Sequence, residues 1–123
     1  MDNKKGLLQD RLLRFAVRVI SVAKSLPRDD VGVHVCRQVT RSSTSAGANY
    51  QEALGSESRN DFTHKMQIVL KEWRETHYWP RLIEEARLLP PQRLEGIIGE
   101  ANELIAMTVR SVATAKRRGA DMR

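Results

Sequence analysis

Residues Arg41 to Ala53 have the composition of a flexible Ser-rich linker, yet they keep helical register. Upstream, Val35 and Val39 stand four apart, and Ser42, Ala46, Asn49 and Ala53 continue the line in steps of three and four. A second line, Val33, Cys36, Thr40, Ser43, Gly47, Tyr50 and Leu54, alternates in the same way. Heptad spacing of this kind specifies a helix, here one whose packing faces are small and polar instead of leucine-rich. Small side chains permit close helix approach, and buried hydroxyls and amides require specific partners. The chain is therefore confined to folds in which this helix meets its neighbours at short range.

The remaining segments read as three more helices. Leu8, Leu12, Phe15, Val19, Val22 and Leu26 form one stripe, widened by Leu13, Ala16, Ile20 and Ala23, which predicts a helix over about 5–25. Pro27 ends it, and Asp29 or Asp30 caps the second helix, about 30–54, with Gly55 as its stop. Ser58 and Asp61 resemble a capping box with Asp in place of Glu and open a third helix over about 59–89. Its seam is Phe62, Met66, Val69, Trp73 and Thr76, and Pro80 deep inside it predicts a kink or a split. Pro90 and Pro91 form the next turn, and the last helix, about 91–117, carries Leu94, Ile98, Ala101, Ile105, Thr108, Val112 and Ala115 before Gly119. Three short turns between long helices predict a single all-α domain, residues 1–123, folded as an antiparallel up-down-up-down four-helix bundle.

Several functions are disfavoured by what is missing. The lone Cys36 cannot form a disulfide framework or a thiolate zinc site within one chain. A di-iron bundle needs two Glu-x-x-His motifs, but His34, His64 and His77 are preceded at that spacing by Val31, Asp61 and Arg74. There is no Gly-x-Ser-x-Gly elbow and no Gly-rich phosphate loop; Gly96 and Gly99 read instead as close-packing positions. The chain is expected to be non-enzymatic, with no cofactor and no metal. No apolar run reaches membrane-spanning length and no apolar stretch follows a basic start, so it is expected in the cytoplasm.

Two sets of residues remain as candidate sites. The formal charge of +6 invites a polyanion. Arg11, Arg14 and Arg18 share a stripe beside the first helix's core face, Lys24, Arg37 and Arg41 add to the first two helices, and Lys116, Arg117 and Arg118 cluster at the end of the last. The ordinary readings are snorkelling over apolar surface for the first stripe and dipole complementarity for the last cluster. Ser42, Ser45, Asn49 and Glu52 step by three and four, so they make one polar seam. That seam could be satisfied within the monomer, could specify a subunit interface, or could bind a ligand. On the third helix Lys71 and Glu75, and Arg81 and Glu85, are spaced as i,i+4 pairs on a solvated face, while Tyr78 and Trp79 beside them suit a protein contact.

The polar positions Arg41-Ser42, Thr44-Ser45, Ala48-Asn49, Glu52-Ala53, Ser58, Asp61-Phe62, Lys65, Lys71-Glu72, Glu75-Thr76 and Tyr78-Trp79 occur together in order. In this set, with Glu100 and Glu103-Leu104 further on, the chain resembles the bacterial four-helix-bundle family named for proteins encoded in 23S rRNA intervening sequences. The resemblance runs to about Lys116, and Pro80 departs from it, since the family usually carries an aliphatic residue after that Trp. It implies assembly as a homopentamer. A relative, the accessory variability protein of diversity-generating retroelements, forms a basic pentameric barrel that binds nucleic acid and its reverse transcriptase. The resemblance favours an interface role for Ser42, Ser45, Asn49 and Glu52, while Glu72, Glu75, Tyr78 and Trp79 remain open between a solvated face and the same interface. A fivefold ring would carry about +30, enough to hold RNA or DNA phosphates without base readout. The alternative is a scaffold for a protein partner such as a reverse transcriptase, with the charge incidental.

Overall fold

The computed structural model describes residues 4–121, which form four long helices: α1 (Lys4–Ala23), α2 (Asp30–Leu54), α3 (Arg59–Glu85) and α4 (Glu95–Asp121). A single 3-10 turn, Pro91–Arg93, precedes α4, and there is no strand among the described residues. The expected up-down four-helix bundle is the observed architecture.

Local chemistry sets most of the boundaries. Asp29 is in extended conformation and its carboxylate accepts from the Gly32 N–H at 2.8 Å, closing the first turn of α2. The Ser58 hydroxyl accepts from the Asp61 N–H at 3.0 Å and starts α3. Only this half of the anticipated capping box forms, because the Asp61 carboxylate turns to Lys65 Nζ at 3.7 Å.

Helix α3 ends four residues earlier than its apolar pattern suggests. The Leu88 N–H donates to Ile83 O and the Arg87 N–H to Glu84 O, both at 3.0 Å, while Arg87 takes a left-handed conformation, φ 57°. This is a Schellman stop with arginine where glycine is usual, which is why Leu89 was expected to be helical. The chain then needs Pro91–Arg93 as a separate turn, so α4 begins at Glu95 and not at residue 91. Helix α1 likewise closes at Ala23, two residues short of expectation.

Pro80 does not divide α3. Its ring is fully buried and continues the core line Thr76, Pro80, Ile83. An interior proline forfeits one backbone hydrogen bond and costs roughly 3 kcal/mol in an isolated helix, so tertiary packing of this line must outweigh local propensity.

The core holds Leu12, Phe15, Val19 and Val22 from α1, Val35, Val39, Ala46 and Ala53 from α2, Met66, Val69, Trp73 and Ile83 from α3, Leu94 just before α4, and Ile97, Ala101 and Leu104 from α4. Phe15 and Trp73 meet edge to face at 5.7 Å across the centre. Leu13 is 66% exposed, contrary to its expected place in the stripe, while Ile97 and Leu104 are buried on a line beside the expected α4 seam.

The small face of α2 has the consequence its composition implies. Ser42, Ser43, Ala46 and Ala53 are buried, and α2 lies close against both α1 and α3. The α1–α4 side stands wider, and arginine–glutamate pairs span it. Gly96 and Gly99 do not serve close packing: a side chain at Gly99 would meet open space, and one at Gly96 only the flexible end of Arg18.

Candidate functional site

The seam and the cations can be placed residue by residue. Ser42 is fully buried, Ser45 and Asn49 are half-buried, and Glu52 is exposed. Ser42 Oγ and Thr76 Oγ1 lie 2.9 Å apart, joining α2 to α3. Thr76 Oγ1 is also 2.9 Å from Glu72 O, and Ser42 Oγ 3.3 Å from Val39 O. One hydroxyl therefore bridges the helices while the other donates to its own helix. Asn49 looks inward on itself: its Nδ2 donates to Ser45 O at 2.8 Å and to Ser45 Oγ at 3.1 Å. The seam thus divides into a buried interhelical pair and a self-satisfied outer half.

Beside it, Arg41 reaches from α2 to α3. Its Nη1 donates to Glu72 Oε2 at 3.2 Å and its Nη2 donates to Glu75. Burial acts to lower the Arg41 pKa, but the Glu75 and Glu72 carboxylates outweigh it and hold the guanidinium above its ordinary value. Glu72 is buried, so the pair keeps a carboxylate compensated away from water. Glu75 therefore binds across helices and not to Lys71, and Arg81 forms no pair with Glu85 among the described side chains. His77, further along, is pushed below the usual imidazole value by burial and by Arg81.

Tyr78 is half exposed and stacks edge to face on Trp79 at 5.0 Å, while Trp79 meets His34 of α2 at 5.8 Å in the same manner. Trp79 Nε1 is buried with no hydrogen-bond acceptor.

Two arginines of the expected anion-binding stripe are tied to acids. Arg11 Nε donates to Glu100 at 3.1 Å and its Nη2 to Glu103 at 3.4 Å; Arg18 donates to the other Glu100 oxygen. Arg14 alone of that stripe is exposed and unpaired among the described side chains. Local spacing carries no sign of these pairs, because the partners lie more than 80 residues away on α4.

Six cations that are unpaired among the described side chains line the two ends of the bundle, while Arg14, Lys71 and Arg74 stand unpaired along its length. At the α1–α2 turn, Lys24, Arg28 and Arg37 line a cavity of about 450 Å³ with Pro27, Gly32 and Cys36. At the opposite end, Arg59 of α3 joins Arg110 and Arg118 of α4 around a groove of about 840 Å³. Lys116 and Arg117 are exposed on the same stretch of α4. Arg28, Arg59 and Arg110 were not singled out in the sequence, where each stands alone. Among the described residues no group of three or more His, Cys, Asp or Glu could hold a metal ion, and no helix is long and apolar enough to cross a membrane.

The chain matches the family model described as 23S rRNA-intervening sequence protein over residues 8–110. It is also similar to a crystal structure of a protein with unknown function from the S23 ribosomal protein family of Bacteroides thetaiotaomicron. That protein is 34% identical, with a TM-score of 0.78 over 85% of this chain and 96% of the other. No curated protein matches the chain.

Proposed function

The chain belongs to the 23S rRNA-intervening sequence protein family, and we propose that it is a non-enzymatic, homo-oligomeric bundle that associates with RNA through its basic surface. The observation that carries this reading is how charge is partitioned. The ion pairs join Arg11, Arg18, Arg41 and Lys65 to five carboxylates, Asp61, Glu72, Glu75, Glu100 and Glu103. Pairing consumes acid faster than base, so the positive excess sits on unpaired side chains, six of which line the two ends of the bundle. A pentamer repeats those ends five times, and phosphate binding grows with the number of contacts. The cytoplasm is the compartment this reading assigns.

Titration against labelled structured RNA and duplex DNA at 50 and 200 mM salt tests it. Tight binding at the lower salt that falls by orders of magnitude at the higher is expected, each neutralised phosphate adding roughly 0.7–0.9 to the slope against log salt. Absence of binding at 50 mM would reject the reading. A second reading, a scaffold for a protein partner such as a reverse transcriptase, is favoured by the exposed Tyr78 against Trp79 and by the exposed apolar Leu13 and Val17 on α1. Such a partner would bind at both salt concentrations.

A further inference from the structure

The groove between the start of α3 and the last turns of α4 brings three arginines together beside an apolar lining. Arg110 and Arg118 stand eight residues apart on α4, with Thr114 between them on the same face. Arg59 approaches from α3: a Cβ built on Gly119 would stand 3.6 Å from Arg59 Cδ, so the arginine stem lies against α4 beside Arg118. All three arginines are exposed and pair with no carboxylate among the described side chains. Phe62 and Met107 supply apolar lining, and Glu57 is the one carboxylate.

Ser56 lines this groove, its Oγ closed off from solvent and without a hydrogen-bond partner among the described residues. A buried hydroxyl without a partner is uncommon, but one closed off from solvent is also closed off from a phosphate in the groove, so the contacts fall to the three arginines. In the cluster at the other end of the bundle, Asp29 and Asp30 follow Arg28 directly in the chain.

Eight helical residues span about 12 Å, long enough to lie along several successive backbone charges of one strand, spaced about 3.4 Å along its axis. We propose that this groove binds the phosphodiester backbone of a nucleic acid, with Arg59, Arg110 and Arg118 as the phosphate contacts. The proposal rests on the RNA reading above and locates its site away from the Arg11–Arg18 stripe.

The experiment compares the full chain with two triple variants that remove equal charge: R59Q/R110Q/R118Q in the groove and K24Q/R28Q/R37Q at the opposite end. Each is titrated with a fluorescein-labelled RNA hairpin and with the DNA hairpin of the same sequence, at 50 and 200 mM salt. The groove variant is expected to lose about tenfold or more in affinity at 50 mM and about two units of salt slope, with the opposite-end variant close to the unaltered chain. Matching unfolding curves establish that the side chains and not the fold are being tested. Equal losses in both variants, or a larger loss in the second, would overturn the groove while leaving nucleic-acid binding standing. No binding by the unaltered chain would overturn both. Equal affinity for the two hairpins would assign the groove to the phosphates alone, and preference for RNA would bring in the 2′-hydroxyl.

Discussion

Gly32 shows how one residue can hold a turn in place. A Cβ built there would stand 1.7 Å from the Pro27 carbonyl oxygen, which is backbone and cannot step aside. The α1–α2 connection folds down onto the first turn of α2 at the one point where a side chain is absent. Gly32→Ala is expected to destabilise the protein by about 2–3 kcal/mol, since a core-type overlap here cannot be relieved by a rotamer change; the urea midpoint measures it. Arg87 is the opposite case. It holds φ 57° without the freedom of glycine, and nothing in its environment uses the arginine head among the described contacts. Arg87→Gly is expected to raise stability by about 0.5–1 kcal/mol, seen as a higher thermal midpoint, because it relieves left-handed strain at the helix stop. The same residue explains a boundary that was hard to read. Leu88 and Leu89 continue the apolar pattern of α3, and the break is written only in a conformation that arginine rarely adopts.

At the scale of elements, α2 and α3 are joined by a hydroxyl pair and an ion-pair cluster lying side by side. The hydroxyls of Ser42 and Thr76 each have a fallback carbonyl in their own helix, so neither is orphaned when the other is removed. Ser42→Ala and Thr76→Val are each expected to cost about 1 kcal/mol, with a coupling energy of about 0.5–1 kcal/mol in a double-mutant cycle read by denaturant unfolding. A coupling near zero would mean that each hydroxyl is satisfied by its own helix. The seam Val35, Val39, Ser42, Ala46, Ala53 was legible from spacing because a helix repeats its buried positions, whatever their polarity. Pairing between helices was not. Glu75 has Lys71 at ideal local spacing and still turns to Arg41, and Glu100 takes two arginines from α1. Local spacing cannot report those choices, because they depend on which helix faces become neighbours after folding. The family resemblance carried by Arg41 to Trp79 was the stronger sequence signal, and the match over residues 8–110 bears it out.

For the whole molecule, the question is what the outer half of the α2 seam is for. Within one chain, Asn49 does little that another residue could not do: it is half-buried and bonds only Ser45 of its own helix. A residue that the monomer does not require, on a face lined with small side chains, is well placed to meet a second copy of the chain. Leucine at that position would keep the helical period and remove the amide, and single polar residues of this kind can control assembly in helical bundles. Asn49→Leu is therefore expected to keep full helicity and a stability within about 0.5 kcal/mol of the unaltered chain, while changing the native mass. Native mass spectrometry beside circular dichroism separates the two effects. A changed mass with unchanged helicity places the seam between subunits; an unchanged mass places it on the solvated edge of each bundle, and the search for the subunit contact moves to the exposed apolar residues of α1.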